Sequence, residues 1–457
     1  MLSNDSSNSV DLMLHNPKKA LIKMSIPLII SLLITSFYNL IDAAWVSGLG
    51  ADALAGVGFF TPIFMILVGF GNGLGSGAAF AISKYLGEDN KPKADNASVH
   101  SIILDIVVSL ILTVILLILL NPILNAMGVG QTIGYATDYG VIILLGSVFI
   151  IFSNALYGVF RGEGDTTRPM YAMIASAILN MVLDPIFIYN LNLGVKGAAI
   201  ATIISSIFVI LILLYWFYVK KDTFLRPNFT NFDFKKDISI DIVKVGIPAS
   251  IQLLNNAFFA AVFSALLAYV GTTNSVAVYS TGWRIVTIGT TPLLAIGTAL
   301  ISVIAANFGA KNYRNIQIAH RYAMKVSLVI AIIVMVLTNV FAGDIASIFT
   351  SGGSSARIAP ELTSFIAWIV IYYPTMAVGV PSTYVFQGIG KGITAMFQTI
   401  MRETGFTIFF AVLLSVVLGY GVWGAWMGIV LGEIVSNNLT GIWADWQIKK
   451  LISDIND

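Results

Sequence analysis

Between Ile106 and Leu120 the chain carries no charged residue, and runs of this kind recur from one end of the sequence to the other. Such a run is too long and too apolar for a strand, and the two-residue alternation of a membrane barrel is missing. A backbone facing lipid must satisfy its own hydrogen bonds, so the runs are predicted to be transmembrane helices of ~20 residues each. Twelve are expected, near 21–46, 53–82, 99–120, 134–158, 169–189, 195–218, 242–268, 275–306, 319–341, 362–388, 394–418 and 422–444. The first is too long for a signal-peptide core and is not followed by a small-residue cleavage site, so it is read as a span.

Composition agrees. Of 457 residues 57% are hydrophobic and 11% charged, against ~25% charged in soluble domains. A net charge of +2 gives no basic face for nucleic acid. With no cysteine, disulfides, thiolate metal sites and thiol nucleophiles are excluded. No Gly-xxxx-Gly-Lys-Ser/Thr loop is present, so ATP is not the direct driver of any transport within this chain. Of the 25 Lys and Arg residues, Lys196 and Arg357 alone fall on one set of loops and Arg284 and Arg402 inside spans. All others, Arg161 and Arg168 among them, lie on the opposite set with both termini. The positive-inside rule then puts both termini in the cytoplasm and requires an even number of spans.

The spans form a duplicated unit. Lys23-Met-Ser-Ile-Pro27 returns as Lys244-Val-Gly-Ile-Pro248, and Leu86-Gly87 as Phe308-Gly309. Phe160-Arg-Gly-Glu-Gly164 returns as Phe386-Gln-Gly-Ile-Gly390, and Leu193-Gly-Val-Lys-Gly-Ala198 as Tyr420-Gly-Val-Trp-Gly-Ala425. The expected architecture is an all-α integral membrane protein. Two homologous six-helix lobes, 1–218 and 242–457, are joined by a basic cytoplasmic linker at 219–241. Six is even, so the lobes share one orientation and are related by a pseudo-two-fold axis along the membrane normal. This is a recurrent plan of secondary transporters.

Ionisable groups inside spans cost at least ~2.5–3.5 kcal/mol, which makes them candidates for function. Asp42 in span 1 and Asp184 in span 5 should lie roughly 6–8 Å inside the outer boundary. Asn180 is one turn from Asp184, Thr202 lies at similar depth, and Pro185 frees the carbonyl of Met181. This all-oxygen set suits a proton or Na⁺, and two close carboxylates do not both ionise easily, which fits one of them to carry a proton. The same residues could equally be a satisfied polar cluster tying helices together. The second half places Phe263 opposite Asp42 and Phe410 opposite Asp184. Gln252, Asn255 and Asn256 could line a cavity there. Arg284, Arg402, Glu403 and Glu433 are read as structural or lobe-docking charges, with no pairing required between the adjacent Arg402 and Glu403. Asp105 and Asp138 are expected to reach the membrane interface, and Gly69, Gly73 and Gly77 to mark close helix packing.

Arg161-Gly-Glu-Gly-Asp-Thr-Thr-Arg-Pro169, its counterpart Gln387-Gly-Ile-Gly-Lys391, Pro27-Leu-Ile-Ile and Tyr38-Asn-Leu-Ile-Asp-Ala-Ala-Trp-Val46 with Gly48-Leu-Gly50 resemble the MATE family of multidrug and toxic compound extrusion transporters. The resemblance covers nearly the whole chain and looks closest to the DinF-type branch of bacteria and archaea. It implies a cation-coupling site at Asp42, Asn180, Asp184 and Thr202, and a substrate cavity to which Tyr38, Asn39, Asn154 and Met173 contribute. It further implies a plasma-membrane antiporter, acting as a monomer among membrane lipids. Such a protein exports amphipathic, often cationic, organic compounds in exchange for H⁺ or Na⁺, with no other cofactor. Some branches carry an acidic residue in span 7; its absence here leaves coupling to the first lobe. The alternative is a flippase for lipids or lipid-linked oligosaccharides, which should carry several cavity Arg or Lys. An intramembrane enzyme is disfavoured: Asp165 fits a Gly-x-Gly-Asp pattern but belongs to a charged loop.

Overall fold

In the computed structural model, which describes residues 3–230, 232–350 and 353–456, the chain is almost wholly helical. A short α1 (Ser3–His15) precedes α2 (Pro17–Ser47), α3 (Ala51–Gly87), α4 (Lys91–Ala126), α5 (Ile133–Leu145), α6 (Ser147–Gly162), α7 (Thr167–Pro185) and α8 (Val195–Leu214). The second half follows as α9 (Lys236–Val270), α10 (Thr273–Gly309), α11 (Tyr313–Val340), α12 (Ala342–Thr350), α13 (Ala359–Ile369), α14 (Tyr373–Gly388), α15 (Gly392–Ile400), α16 (Ile408–Val412) and α17 (Gly421–Asn456).

Among the described residues ten continuous helical segments are long and apolar enough to cross a membrane, and α5 with α6 forms one more crossing, bent by 51° at Gly146. The twelfth expected span corresponds to α17. It is less apolar because Glu433, Asn437 and Thr440 turn into the protein interior rather than to lipid. π-helical turns widen three span ends, at Ile186–Asn190 just after Pro185, Tyr215–Lys220 and Leu413–Val417, and interrupt one span between α15 and α16, at Met401–Thr407.

The duplication is written into the backbone. Left-handed residues recur in pairs at Asp89 and Lys311 (φ 55° and 56°), Gly164 and Gly390 (81° and 77°), and Gly194 and Gly421 (56° and 57°). The halves also meet reciprocally. A Cβ on Gly87 would strike the carbonyl of Ala306, and one on Gly309 would strike that of Lys84. Gly309 and Ala306 are the repeat counterparts of Gly87 and Lys84, so this is the self-complementary contact of a two-fold axis. Only glycine allows the two backbones so close. Along α3, Gly73 and Gly77 press on Gly246, Ser250 and Ile242 of α9, so the glycine steps in span 2 serve to dock one half on the other.

Apolar packing follows the same plan. Near the end that carries α1 and the connection at 221–235, a single core draws on both halves, including Phe80, Ile82, Ile242, Ile301 and Phe386. Toward the opposite end it divides, one core around Phe60 and Ile143 in the first half and another around Phe263, Phe365 and Trp426 in the second. The halves are therefore joined at the terminal end and separate at the distal one. Lys84 Nζ (2.7 Å) and the Tyr85 hydroxyl (2.6 Å) donate to the Asp241 carboxylate across the joint. α1, which the apolar pattern did not reveal, closes over it: the Asn307 and Asn315 side-chain amides donate to the carbonyls of Met13 and Leu14. The connecting segment is tied to the first half, through Leu225 N–H to Glu163 (2.9 Å), Arg226 N–H to Asp95 (2.8 Å) and Lys235 N–H to His100 Nε2 (2.9 Å).

Candidate functional site

The distal part of the first half holds the carboxylate pair. Asp42 comes from α2, and Asn180 and Asp184 from one face of α7. Thr202 comes from α8, where its hydroxyl donates to the Ala198 carbonyl (3.1 Å). The Asp42 and Asp184 carboxyl groups lie within electrostatic range of each other. Asp184 is wholly buried, with neither oxygen hydrogen-bonded, and Asn180 is likewise buried with both amide atoms unsatisfied; Asp42 Oδ1 has no partner either. Buried polar atoms are nearly always paired, so five such atoms in one cluster form a polar pocket without an internal answer. Tyr38 and Tyr139 lie in the electrostatic range of both carboxylates and approach Thr202. Tyr139, from α5, was not anticipated, because nothing in an apolar helix distinguishes one tyrosine from another until the helices pack.

In the second half the corresponding positions are Phe263, which is buried, and Phe410. Its charges gather elsewhere. Arg402 and Glu403, of which no pairing was required, do pair, at 2.7 Å. They sit in the π-helical turn Met401–Thr407, whose wider winding changes the angle between neighbours that a regular α-helix would impose. Glu433 lies 3.8 Å from the same guanidinium and accepts from Asn437 (2.9 Å). Asn255 donates to Glu403 (2.8 Å) and accepts from Thr404 (2.8 Å). Arg284, by contrast, is exposed.

A cavity of about 250 Å³ lies where the halves meet. Gln252 and Asn256 line it, joined by Arg402, Glu403 and Tyr384. Asn255 sits behind, on Glu403. Tyr38, Asn39, Asn154 and Met173 do not line this cavity; Asn39 is exposed, Tyr38 and Met173 half-buried, and Asn154 packs beside Gly71 and Gly75.

Two charge assignments change. Asp105 does not reach an interface but is 1% exposed within α4, whereas Asp138 is half-exposed and pairs with Lys196 at 3.3 Å. Arg161, counted with the loop charges, points inward: only 9% exposed, it lines the central cavity. Glycine made that possible, since α6 crosses α3 with Gly158 on Gly75.

The loop after α6 is ordered by charge. Asp165 accepts from the Thr167 and Arg168 amides and pairs with the Arg168 guanidinium at 2.7 Å, as befits a helix-capping loop rather than a proteolytic centre. Beside it, burial and then repulsion by Asp165 push the Glu163 carboxyl up to about 8, against the Leu225 amide and the Arg168 guanidinium.

Comparison with known proteins matches this arrangement. The MatE family profile fits residues 27–186 and again 248–418, once per half. The multidrug export protein MepA of Staphylococcus saprophyticus is 26% identical over 408 residues, 88% of this chain and 85% of that protein. A MATE family multidrug resistance transporter of the MOP superfamily, solved in an outward-facing conformation, superposes with a TM-score of 0.94 at 35% identity, covering 97% of this chain and 99% of the other. A MOP superfamily transporter from Pyrococcus furiosus gives a TM-score of 0.94 at 35% identity, covering 97% and 98%. With both halves matched, and with its fold shared over nearly its whole length, this chain belongs to the MATE family of membrane transporters.

Proposed function

We propose that the protein is a secondary multidrug antiporter of the plasma membrane, with both termini in the cytoplasm, that exports amphipathic and cationic organic compounds in exchange for H⁺ or Na⁺. The observation that carries this reading is the unsatisfied pocket of Asp42, Asn180 and Asp184 with Thr202 at its edge. Oxygen ligands without internal partners can take up a proton or a hard cation, and a structural cluster would have satisfied itself. The name of the staphylococcal relatives, multidrug export protein, supports the cargo. The division into lobes 1–218 and 242–457 about the linker 219–241 supports rocking between two states. In this conformation the joint is closed at the terminal end. Cation entry from outside neutralises the Asp pair, the outer half of α2 moves, cargo leaves outward, and the lobes then rock inward. A monomer suffices for this cycle.

The test is reconstitution in proteoliposomes with a proton gradient and a sodium gradient imposed separately. Efflux of a cationic dye should follow at least one gradient, and Asp42→Asn or Asp184→Asn should uncouple it. Coupled efflux that survives both substitutions would show the site to be elsewhere.

A further inference from the structure

Three charged side chains line the central cavity, and only two of them answer each other. Arg402 and Glu403 are paired at 2.7 Å. Arg161 is more than nine-tenths buried, no carboxylate lies within ion-pair distance of it among the described residues, and its Nε has no hydrogen-bond partner. The guanidinium rests on Gly75, close enough that a Cβ there would come within 3.2 Å of it. Its repeat counterpart, Gln387, lines the same cavity from the other half and is also left with an unpartnered atom, Oε1. The repeat therefore presents two polar arms to one space, and only the arm from the first half is charged. A buried guanidinium without a counter-charge is unfavourable, and its planar fork matches carboxylate and phosphate oxygens.

We propose that Arg161 anchors an anion-binding subsite in the central cavity, which takes the carboxylate or phosphate group of an amphipathic compound. This rests on the exporter reading for its role, since it would widen the cargo from cations to compounds that also carry an acidic group. Carboxylate cargo and phosphate lipid offer the same chemistry. A cavity of about 250 Å³ admits the acidic head and its nearest atoms of either, leaving the apolar body outside it. The subsite is remote from the carboxylate pair. Leu32, which lines the cavity, is ten residues along α2 from Asp42, so roughly 15 Å of helix separates the cavity wall from the carboxylate pair. Anion and coupling cation would not compete for one place.

Binding to the purified full-length protein, read by fluorescence, tests this without transport. Dansylglycine, which bears a carboxylate, should bind more tightly than its neutral amide. Arg161→Gln should weaken dansylglycine about ten-fold or more and leave the amide within two-fold; Arg161→Lys should keep part of the preference, because the charge remains and the fork is lost. Benzoate and dodecyl phosphate should each displace the probe from the wild type, and whichever does so at lower concentration identifies cargo acid or lipid as the preferred source. Equal affinity for acid and amide in the wild type would overturn the proposal. So would parallel loss of both probes in Arg161→Gln, which would mark a structural arginine, or displacement by neither anion. Gradient-driven efflux of a cationic dye, measured separately, reports on the exporter reading and can survive any of these failures.

Discussion

The two halves share a backbone and differ in how they treat buried charge. In the first half Asp42, Asn180 and Asp184 face one another with unsatisfied atoms. In the second, Glu403 and Glu433 are held around Arg402 and capped by Asn255 and Asn437. Arg402 and Glu403 occupy positions where the first half has Ser176 and Ala177, and Phe410 stands where it has Asp184. Duplication thus preserved the helices and their glycine contacts while the polar contents diverged. A self-compensated cluster stabilises one arrangement; the uncompensated one is the place where the proposed function puts the coupling cation. One copy of the unit can then specialise in holding shape and the other in chemistry.

The comparison can be broken most directly at the carboxylates. Asp184→Asn is expected to reduce gradient-driven efflux in proteoliposomes by 100-fold or more, on the order of 3 kcal/mol, whereas Glu403→Gln should cost less than ten-fold; comparable losses would erase the contrast. Next in size is Arg402→Leu, which strands two buried carboxylates. Removing one partner of a buried pair costs about 3–5 kcal/mol, so thermal unfolding in detergent should fall sharply, with Arg402→Lys recovering part of it. Removing Asp42, which has no cationic partner among the described residues, should not lower the unfolding temperature.

A smaller effect is expected at the joint. Asp241→Asn removes the charge gripped by Lys84, Lys244 and the Tyr85 hydroxyl. Spin labels placed at the terminal ends of α3 and α9 should report a longer separation in part of the population; an unchanged distance distribution would mean that glycine-mediated packing alone holds the joint.

A contrast in pH dependence rather than in transport concerns Glu163, whose repeat counterpart is Ile389. Burial raises this carboxyl to about 8 in the folded protein, above its unfolded value of about 4.3. The folded state therefore holds an extra proton between these values, and stability should fall as pH rises through that window. The slope is at most about 1.4 kcal/mol per pH unit. Glu163→Gln should flatten this part of the profile, measured as melting temperature from pH 5 to 8.5. The second half, with isoleucine in that place, contributes no such term.

Much of the fold was legible because its causes are local. Apolar length names the solvent, repeated motifs disclose the two halves, and Asp42, Asn180 and Asp184 stand out because carboxylates and amides inside apolar helices are costly. Asp105 misled because a position near a span end does not say which face of the helix looks inward. The pairing of Arg402 with Glu403 stayed open because the π-helical turn that joins them has no sequence mark of its own. Tyr139 and α1 went unseen for the related reason that their roles exist only against other helices.

By itself, then, the sequence determined a duplicated helical membrane protein with a pair of carboxylates inside the spans of one half. Its local chemistry and periodicity are properties of single segments, and each can be read without knowing the partner. Tertiary structure alone decided that the halves close at the terminal end, that the second half neutralises its own charges, and that Arg161 looks into the cavity rather than to water. Each of these depends on which helix faces meet, and that is set by close backbone contacts such as Gly158 on Gly75 and Gly87 on Ala306, between residues far apart in the chain.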